Sequence, residues 1–212
     1  CGGTLISPTI VLAAAHCEIS LVSDAVFQRY YHPSEVGINP SKEIRIPVKE
    51  EIKHPNYNRR TLENDVMLLI LEKSPNDYVR NKGQSSSPNQ TPLKLTALGW
   101  GHTVSGGKGQ PSDTLQEARL NYVYNSECNK AQESNLVNYD GRISPDMMCT
   151  WHSQQDTCHG DSGGPIVLEN LASILENAND NTDMGIVSWG EDCADAIFPG
   201  VASRVSESYE WI

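Results

Sequence analysis

The sequence lacks an excess of positive charge and lacks any long hydrophobic run. Its 212 residues include 16 Lys and Arg against 27 Asp and Glu, a formal net charge of −11. A phosphate backbone repels such a surface, and we find no basic patch that overrides the repulsion, which excludes nucleic acid as a partner. The longest apolar runs, Ile10–Ala15 and Val66–Leu71, have six residues each. A membrane-spanning helix needs about 18 or more, so the sequence excludes one.

The sequence also lacks a methionine before Met67, and it opens on Cys1. We therefore expect a signal or pro-segment upstream of the given chain. The hydrophobic fraction of 38% is enough for a packed core, which excludes a disordered chain. The length predicts one compact unit, with room for two similar halves.

Six cysteines are present, and their even number indicates disulfide bridges formed in an oxidising compartment. The count leaves the pairing open. A metal site is the alternative, because Cys149, His152, Cys158 and His159 place soft ligands close together in sequence. Repeated Cys-x-x-Cys pairs, the common sign of a zinc site, are missing.

Short apolar segments separated by turn residues predict an all-β sandwich or barrel. Helical patterns occur only over Ser126–Glu133 and Ser206–Ile212. The stretch Gly83–Pro92 has the composition of an exposed linker and divides the chain into halves of similar size. Leu171–Asp183 is a second irregular stretch. The predicted strands are Thr4–Ile6, Ile10–Leu12, Ile44–Val48, Val66–Leu71, Leu93–Trp100, Glu117–Tyr122, Pro165–Leu168, Met184–Trp189 and Gly200–Arg204.

Three segments carry residues with reactive chemistry. His16 follows an apolar strand, Asp65 directly precedes another, and Ser162 lies in the glycine-rich turn GDSGGP. Each segment alone is ordinary turn or core chemistry. Nucleophilic hydrolysis by serine needs a base for the hydroxyl proton and an acid that orients the base, and the order His, Asp, Ser is one known order for that geometry. The three segments together therefore indicate a serine hydrolase.

With these motifs the whole chain resembles the trypsin/chymotrypsin-like serine proteases, closest to the trypsin-like members. The matching segments are CGGTLI, LAAAHC, NDVMLLIL, LGWG, DTCHGDSGGP, GIVSWG, PGVASRV and YEWI. The resemblance implies an all-β fold of two six-stranded antiparallel β-barrels, with the active site between them, one short intermediate helix and a truncated C-terminal helix. It implies a single peptidase domain over 1–212, with approximate barrels at 1–88 and 91–205, lacking the mature N-terminus and the end of the C-terminal helix.

The resemblance also assigns roles to individual residues. His16 would be the general base, Asp65 its orienting acid and Ser162 the nucleophile, with an oxyanion hole formed by Gly160 and Ser162. Asp156, six residues before Ser162, would form the floor of the specificity pocket and select Arg or Lys. The remaining implied substrate-binding residues are Ser188, Trp189, Gly190 and Gly200. The implied disulfides are Cys1–Cys17, Cys128–Cys149 and Cys158–Cys193, which leave no cysteine for a metal.

Two of the chain's departures from the family pattern carry structural expectations. The resemblance implies that Asp161 accepts an ion pair from a freed N-terminal ammonium, which the given chain lacks. We therefore expect an unpaired, partly buried Asp161 and a poorly active protein if the chain begins at Cys1. A common family disulfide is replaced by Leu95 and Leu168, and we expect these two leucines to be in contact.

The resemblance thus implies a secreted, monomeric endopeptidase that cleaves after Arg or Lys through an acyl-enzyme intermediate. It implies no cofactor and no metal, and it implies partners in polypeptide substrates, protein inhibitors and an activating protease. The alternative is an inactive protease homologue that acts as a binding module.

Overall fold

A computed structural model of the protein describes residues 1–18, 24–29, 43–75, 94–104, 109–134, 136–168 and 182–212. Eleven strands and two short helices are found in these ranges. The predicted linker Gly83–Pro92 lies outside the described residues, and so do residues 171–181 of the second irregular stretch. The strands are β1 (Thr4–Ser7), β2 (Ile10–Ala13), β3 (Asp24–Phe27), β4 (Ile44–Lys53), β5 (Met67–Leu71), β6 (Lys94–Gly99), β7 (Gln116–Val123), β8 (Met147–Trp151), β9 (Pro165–Leu168), β10 (Thr182–Trp189) and β11 (Gly200–Arg204).

The first half of the chain forms a sheet in the order β1-β2-β5-β4-β3, in which neighbouring strands are antiparallel. In β4 the apolar residues Ile44, Ile46 and Val48 alternate with other residues, and Ile46 is fully buried. This period of two places one face of the strand on the core. We expected six strands in this half, whereas the described residues contain five, in a curled sheet without closure.

The second half of the chain forms a closed antiparallel barrel in the order β10-β11-β8-β7-β6-β9. Each strand pairs with a neighbour on both sides, and β10 extends to Trp189, beyond its last paired position with β9 at Ile186. Leu95, Leu120, Met148 and Ile166 fill one end of its interior. The predicted nearly all-β fold is confirmed, with one closed six-stranded barrel and one open, curled sheet.

Both helices are shorter than the sequence pattern predicts. The first, α1, covers only Asn125–Cys128, and the side chain of Asn129, its C-cap, is hydrogen-bonded to the backbone of Ile143. The second, α2, covers Val205–Ser208. Beyond it, Trp211 and Ile212 pack against the core of the first sheet, so the end of the chain joins the two halves. Among the described residues, no helix has the length and apolar character that crossing a membrane requires.

Leu95 and Leu168 occupy opposite positions on the neighbouring strands β6 and β9. Leu95 is buried, and Leu168 packs against the same apolar cluster. The predicted contact is confirmed, and hydrophobic packing occupies the place of the family disulfide.

The double substitution Leu95→Cys and Leu168→Cys should form a new disulfide. Directly opposed residues of an antiparallel pair have Cα atoms about 4.5–5.5 Å apart, within the range that a disulfide spans. Peptide mapping without reduction should recover the two segments as one cross-linked fragment. The single substitution Leu168→Cys is the control, and two free thiols in the double variant would contradict the strand register.

Candidate functional site

The site is built around Asp65, whose side chain is completely buried. Strand β2 pairs with β5 so that Ala13 lies opposite Met67, and this register brings the residues that follow β2 beside those that precede β5. The Nδ1 atom of His16 lies 2.7 Å from Asp65 Oδ2, and the His16 backbone N–H donates to Oδ1 at 2.8 Å. The acid therefore holds both the ring and the main chain of the histidine.

The closed barrel contributes two hydroxyl donors to Asp65, one to its carboxylate and one to its backbone carbonyl group. The Ser188 hydroxyl donates to Asp65 Oδ2 at 2.5 Å, and the Ser203 hydroxyl donates to the Asp65 carbonyl oxygen at 3.0 Å. A buried carboxylate requires such donors, because its loss of hydration is otherwise uncompensated. The hydrogen bonds of Asp65 thus join the two halves of the protein at the site.

Ser162 lies in a turn that packs against the segment carrying His16. The Gly2 N–H donates to the Ser162 carbonyl oxygen at 2.8 Å, and the Gly163 N–H donates to the Val187 carbonyl oxygen at 2.8 Å. The sulfur of Cys17 lies 3.6 Å from that same Ser162 oxygen and 4.0 Å from His16 Nε2. The structure therefore brings Ser162 and His16 to one place. It records no hydrogen bond between the Ser162 hydroxyl and the His16 ring.

Two glycines give this turn its shape. Gly160 has φ of +103° and Gly163 has φ of +80°, a region that side chains disfavour. A Cβ on Gly163 would also lie 2.6 Å from the Gly2 carbonyl oxygen. Among the hydrogen bonds of the described residues, none uses the N–H of Gly160 or the N–H of Ser162. Both N–H groups are therefore without an acceptor in the part of the chain that the structure describes.

Asp161 has no ion pair among the described residues, but backbone N–H groups bind both of its carboxylate oxygens. Its Oδ1 accepts the Gly101 N–H at 2.7 Å, and its Oδ2 accepts the Cys158 N–H at 2.9 Å. Burial raises the pKa of Asp161, while these two donors act in the opposite direction. A Cβ on either Gly99 or Gly101 would overlap the carboxylate, which explains the glycines on both sides of Trp100 in the LGWG motif.

A cavity of about 250 Å³ opens beside Ser162 and has Asp156 in its wall. Asp156 accepts the Thr157 N–H at 2.8 Å and the Ala194 N–H at 2.9 Å. Burial nevertheless raises its pKa to about 6. The cavity also includes the other residues expected to bind substrate, which are Ser188, Trp189, Gly190 and Gly200.

Gly190 and Gly200 keep this cavity open in different ways. A Cβ on Gly200 would lie 2.9 Å from Asp156 Oδ1, too close for the carboxylate to stay in place. A Cβ on Gly190 would meet no atom closer than 3.9 Å, so it would occupy free space. Behind Gly190, Trp189 and the fully buried Tyr139 pack edge to face, with ring centroids 5.0 Å apart. The cavity is therefore a slot lined by Trp189, which packs on Tyr139, and by the carboxylate of Asp156.

Three disulfides stabilise the loops that carry these residues: Cys1–Cys17, Cys128–Cys149 and Cys158–Cys193. These are the pairs that the resemblance implies. The first lies next to His16, and the third joins the Ser162 loop to the loop that includes Ala194. Among the described residues, no group of three or more His, Cys, Asp or Glu side chains is placed to hold a metal ion.

Sequence reasoning missed Asp146, a second carboxylate that supports the site. Its Oδ2 accepts the N–H of Asn64 at 2.6 Å, and its Oδ1 accepts the Ser144 hydroxyl at 2.6 Å. Asn64 directly precedes Asp65 and has φ of +52°. Asp146 therefore holds the backbone conformation from which Asp65 enters the core. It lies 82 residues from Asn64 along the chain, and no local pattern marks the contact.

The Trypsin family model matches residues 1–212. Trypsin-3 from Salmo salar is 35% identical over 216 aligned positions, covering all of this chain and 81% of that protein. Trypsin-4 from Rattus norvegicus is 36% identical over 217 positions, covering all of this chain and 78% of that protein. Among solved structures, mouse neuropsin, described as a serine protease expressed in the limbic system of the brain, superposes with a TM-score of 0.80 at 28% identity. That match covers all of this chain and 86% of the neuropsin chain.

Replacing Asp146 by Ala should lower the free energy of unfolding by about 2 kcal/mol. The change leaves the Asn64 N–H without its charged acceptor, and such hydrogen bonds contribute about 1.5–3 kcal/mol each. Denaturant unfolding measures the loss. Asp140, an exposed acid on a neighbouring loop, is the control, and Asp140→Ala should be within about 0.5 kcal/mol of the unmodified protein. Equal stabilities of the two variants would contradict the role of Asp146.

Proposed function

Because the chain belongs to the trypsin family of serine proteases, we propose that it is a serine endopeptidase that cleaves peptide bonds after Arg and Lys. The observation that carries this proposal is the arrangement at Asp65. A buried carboxylate holds His16 through its Nδ1 atom, and the Ser162 turn packs beside the same histidine. This geometry supports acyl transfer to a serine better than any binding function.

In the proposed reaction the Ser162 oxygen attacks the carbonyl carbon of the scissile bond, and its proton passes to Nε2 of His16. Asp65 keeps the Nδ1–H tautomer in place and stabilises the imidazolium that forms. The imidazolium then gives the proton to the leaving amine, and an acyl-enzyme remains on Ser162. Water activated by His16 hydrolyses that ester and restores the hydroxyl.

The N–H groups of Gly160 and Ser162 are the proposed oxyanion hole. They are uncommitted among the hydrogen bonds of the described residues, and the positive φ of Gly160 belongs to the turn that carries them. Removing one such donor in another serine protease costs about 100–1,000-fold in turnover. Asp161 positions this turn through its bonds to Gly101 and Cys158, and we propose that activation acts on Asp161.

Asp156 is the proposed determinant of specificity. Its carboxylate loses hydration in the slot and has only neutral donors, which are two backbone N–H groups and the Thr157 side chain, so a cationic side chain would supply the missing opposite charge. A neutral side chain would leave that charge uncompensated. The main chain of residues 188–190 is proposed to pair with the substrate as an added strand, so that backbone hydrogen bonds supply affinity.

The three disulfides support a secreted protein, because such bridges persist in oxidising compartments. We further propose that residues 1–212 form one peptidase domain that works as a monomer. Its proposed partners are polypeptide substrates, protein inhibitors and an activating protease.

Replacing Ser162 by Ala should lower turnover of an Arg peptide roughly a millionfold, the scale known for another serine protease. The same change should abolish labelling of the activated protein by a fluorophosphonate, because the reagent reacts with an activated serine oxygen. Ser153, an exposed serine near Asp156, provides the control Ser153→Ala, which should label fully. An activated protein that resists labelling would instead indicate an inactive homologue.

Binding of benzamidine, a cationic probe, should weaken as the pH falls through about 6. The pKa of Asp156 is raised to about 6, so the carboxylate takes up a proton there and loses its attraction for the amidinium. Below that pH the affinity should fall about tenfold per pH unit. Calorimetry on the Ser162→Ala protein measures this dependence. In Asp156→Asn the affinity should be low at every pH, and a persistent pH dependence there would assign the effect to another group.

The same raised pKa has a consequence for the protein without ligand. The folded protein holds the Asp156 proton more tightly than the unfolded chain, so this group stabilises the fold least when it is ionised. The contribution of Asp156 to the free energy of unfolding should therefore decrease as the pH rises from about 4 to about 6. The substitution Asp156→Asn should remove that decrease.

A further inference from the structure

Two histidines meet at the edge of the Ser162 turn. His102 follows Gly101, and His159 precedes Gly160. The backbone N–H of His102 donates to the carbonyl oxygen of His159 at 2.9 Å, which fixes the two segments to each other. Their rings have centroids 5.9 Å apart and meet at 71°.

Both rings are free of hydrogen bonds to the rest of the described structure, in contrast to the other histidines there. In His16, His54 and His152 the Nδ1 atom is engaged in a hydrogen bond. The Nδ1 atom of His102 is shielded from solvent and has no partner within the described ranges. His159 is exposed at the mouth of the cavity. Either ring can therefore turn toward a ligand without breaking an existing bond.

We propose that His102 and His159 together bind a divalent transition-metal ion such as Zn²⁺, with water completing the coordination. A zinc ion lies about 2.1 Å from an imidazole nitrogen, which places the centres of two rings on one ion about 5–6 Å apart. The observed separation of 5.9 Å matches this distance. Imidazole pairs suit zinc, copper and nickel, whereas Ca²⁺ and Mg²⁺ require oxygen ligands.

The surroundings favour a cation at this place. Asp161 lies close enough to His102 for the two groups to interact electrostatically, and the chain as a whole carries a net charge of −11. With two protein ligands the ion exchanges readily, which separates this site from a closed structural zinc site of four ligands.

The position of the site gives it an effect on catalysis, a step that rests on the proposed function. His159 lines the same cavity as Ser162 and Asp156, and it directly precedes Gly160 of the proposed oxyanion hole. An ion held there adds positive charge at the mouth of a cavity that would receive a cationic side chain. Zinc should therefore lower kcat/KM for Arg substrates.

Calorimetric titration of the Ser162→Ala protein with zinc chloride tests the site without requiring any activity. We expect one ion per chain, and each of His102→Gln and His159→Gln should weaken binding at least about tenfold, because even indirect partners of metal ligands contribute that much. His152→Gln is the matched control and should bind as the parent does. Calcium chloride should give no binding.

Two results would overturn the site: no zinc binding to the Ser162→Ala protein, or binding that survives His102→Gln and His159→Gln but is lost in His16→Ala. The second outcome would place the ion on the catalytic histidine instead. In active protein, zinc should inhibit the parent and His152→Gln equally, and it should inhibit His102→Gln less. A protein that binds zinc through both histidines but resists fluorophosphonate would refute the proposed function while leaving the site in place.

Discussion

The structure depends on the hydrogen bonding of one buried carboxylate. Asp65 is fully shielded from water, and its oxygens accept bonds from the His16 ring, the His16 backbone and the Ser188 hydroxyl. An ionised group of this kind is stable in a protein interior only when its donors are complete. Because those donors come from both halves of the chain, the two sheets are held in the relative position that the site requires.

The sequence was sufficient for the all-β class, for most strands and for His16 and Ser188, which bind the Asp65 carboxylate. It missed β8, because Met147–Trp151 is buried almost throughout and has no alternation of polar and apolar residues. It also missed β3, a four-residue strand of intermediate burial. The roles of Asp146 and Ser203 could not be predicted from neighbouring sequence, because their hydrogen-bond partners lie 82 and 138 residues away along the chain. Contacts at such separation exist only once the fold has formed.

The two carboxylates beside Ser162 have similar hydrogen bonds but different surroundings. Asp161 and Asp156 each accept two backbone N–H groups, and burial raises the pKa of both. Asp161 is enclosed by the glycines on either side of Trp100, whereas Asp156 faces an open slot. The first carboxylate is suited to holding a loop in place, and the second to meeting a charge that arrives from outside. The difference between the two aspartates thus comes from the backbone that surrounds each one, because the residue type is the same.

The first two residues couple the segments on which the reaction would depend. Cys1 is covalently bound to Cys17, the neighbour of His16, and Gly2 donates its N–H to the carbonyl group of Ser162. These two bonds connect the segment that carries His16 to the turn that carries Ser162. A displacement of either segment is therefore resisted by the other, because Cys1 and Gly2 are neighbours in the chain.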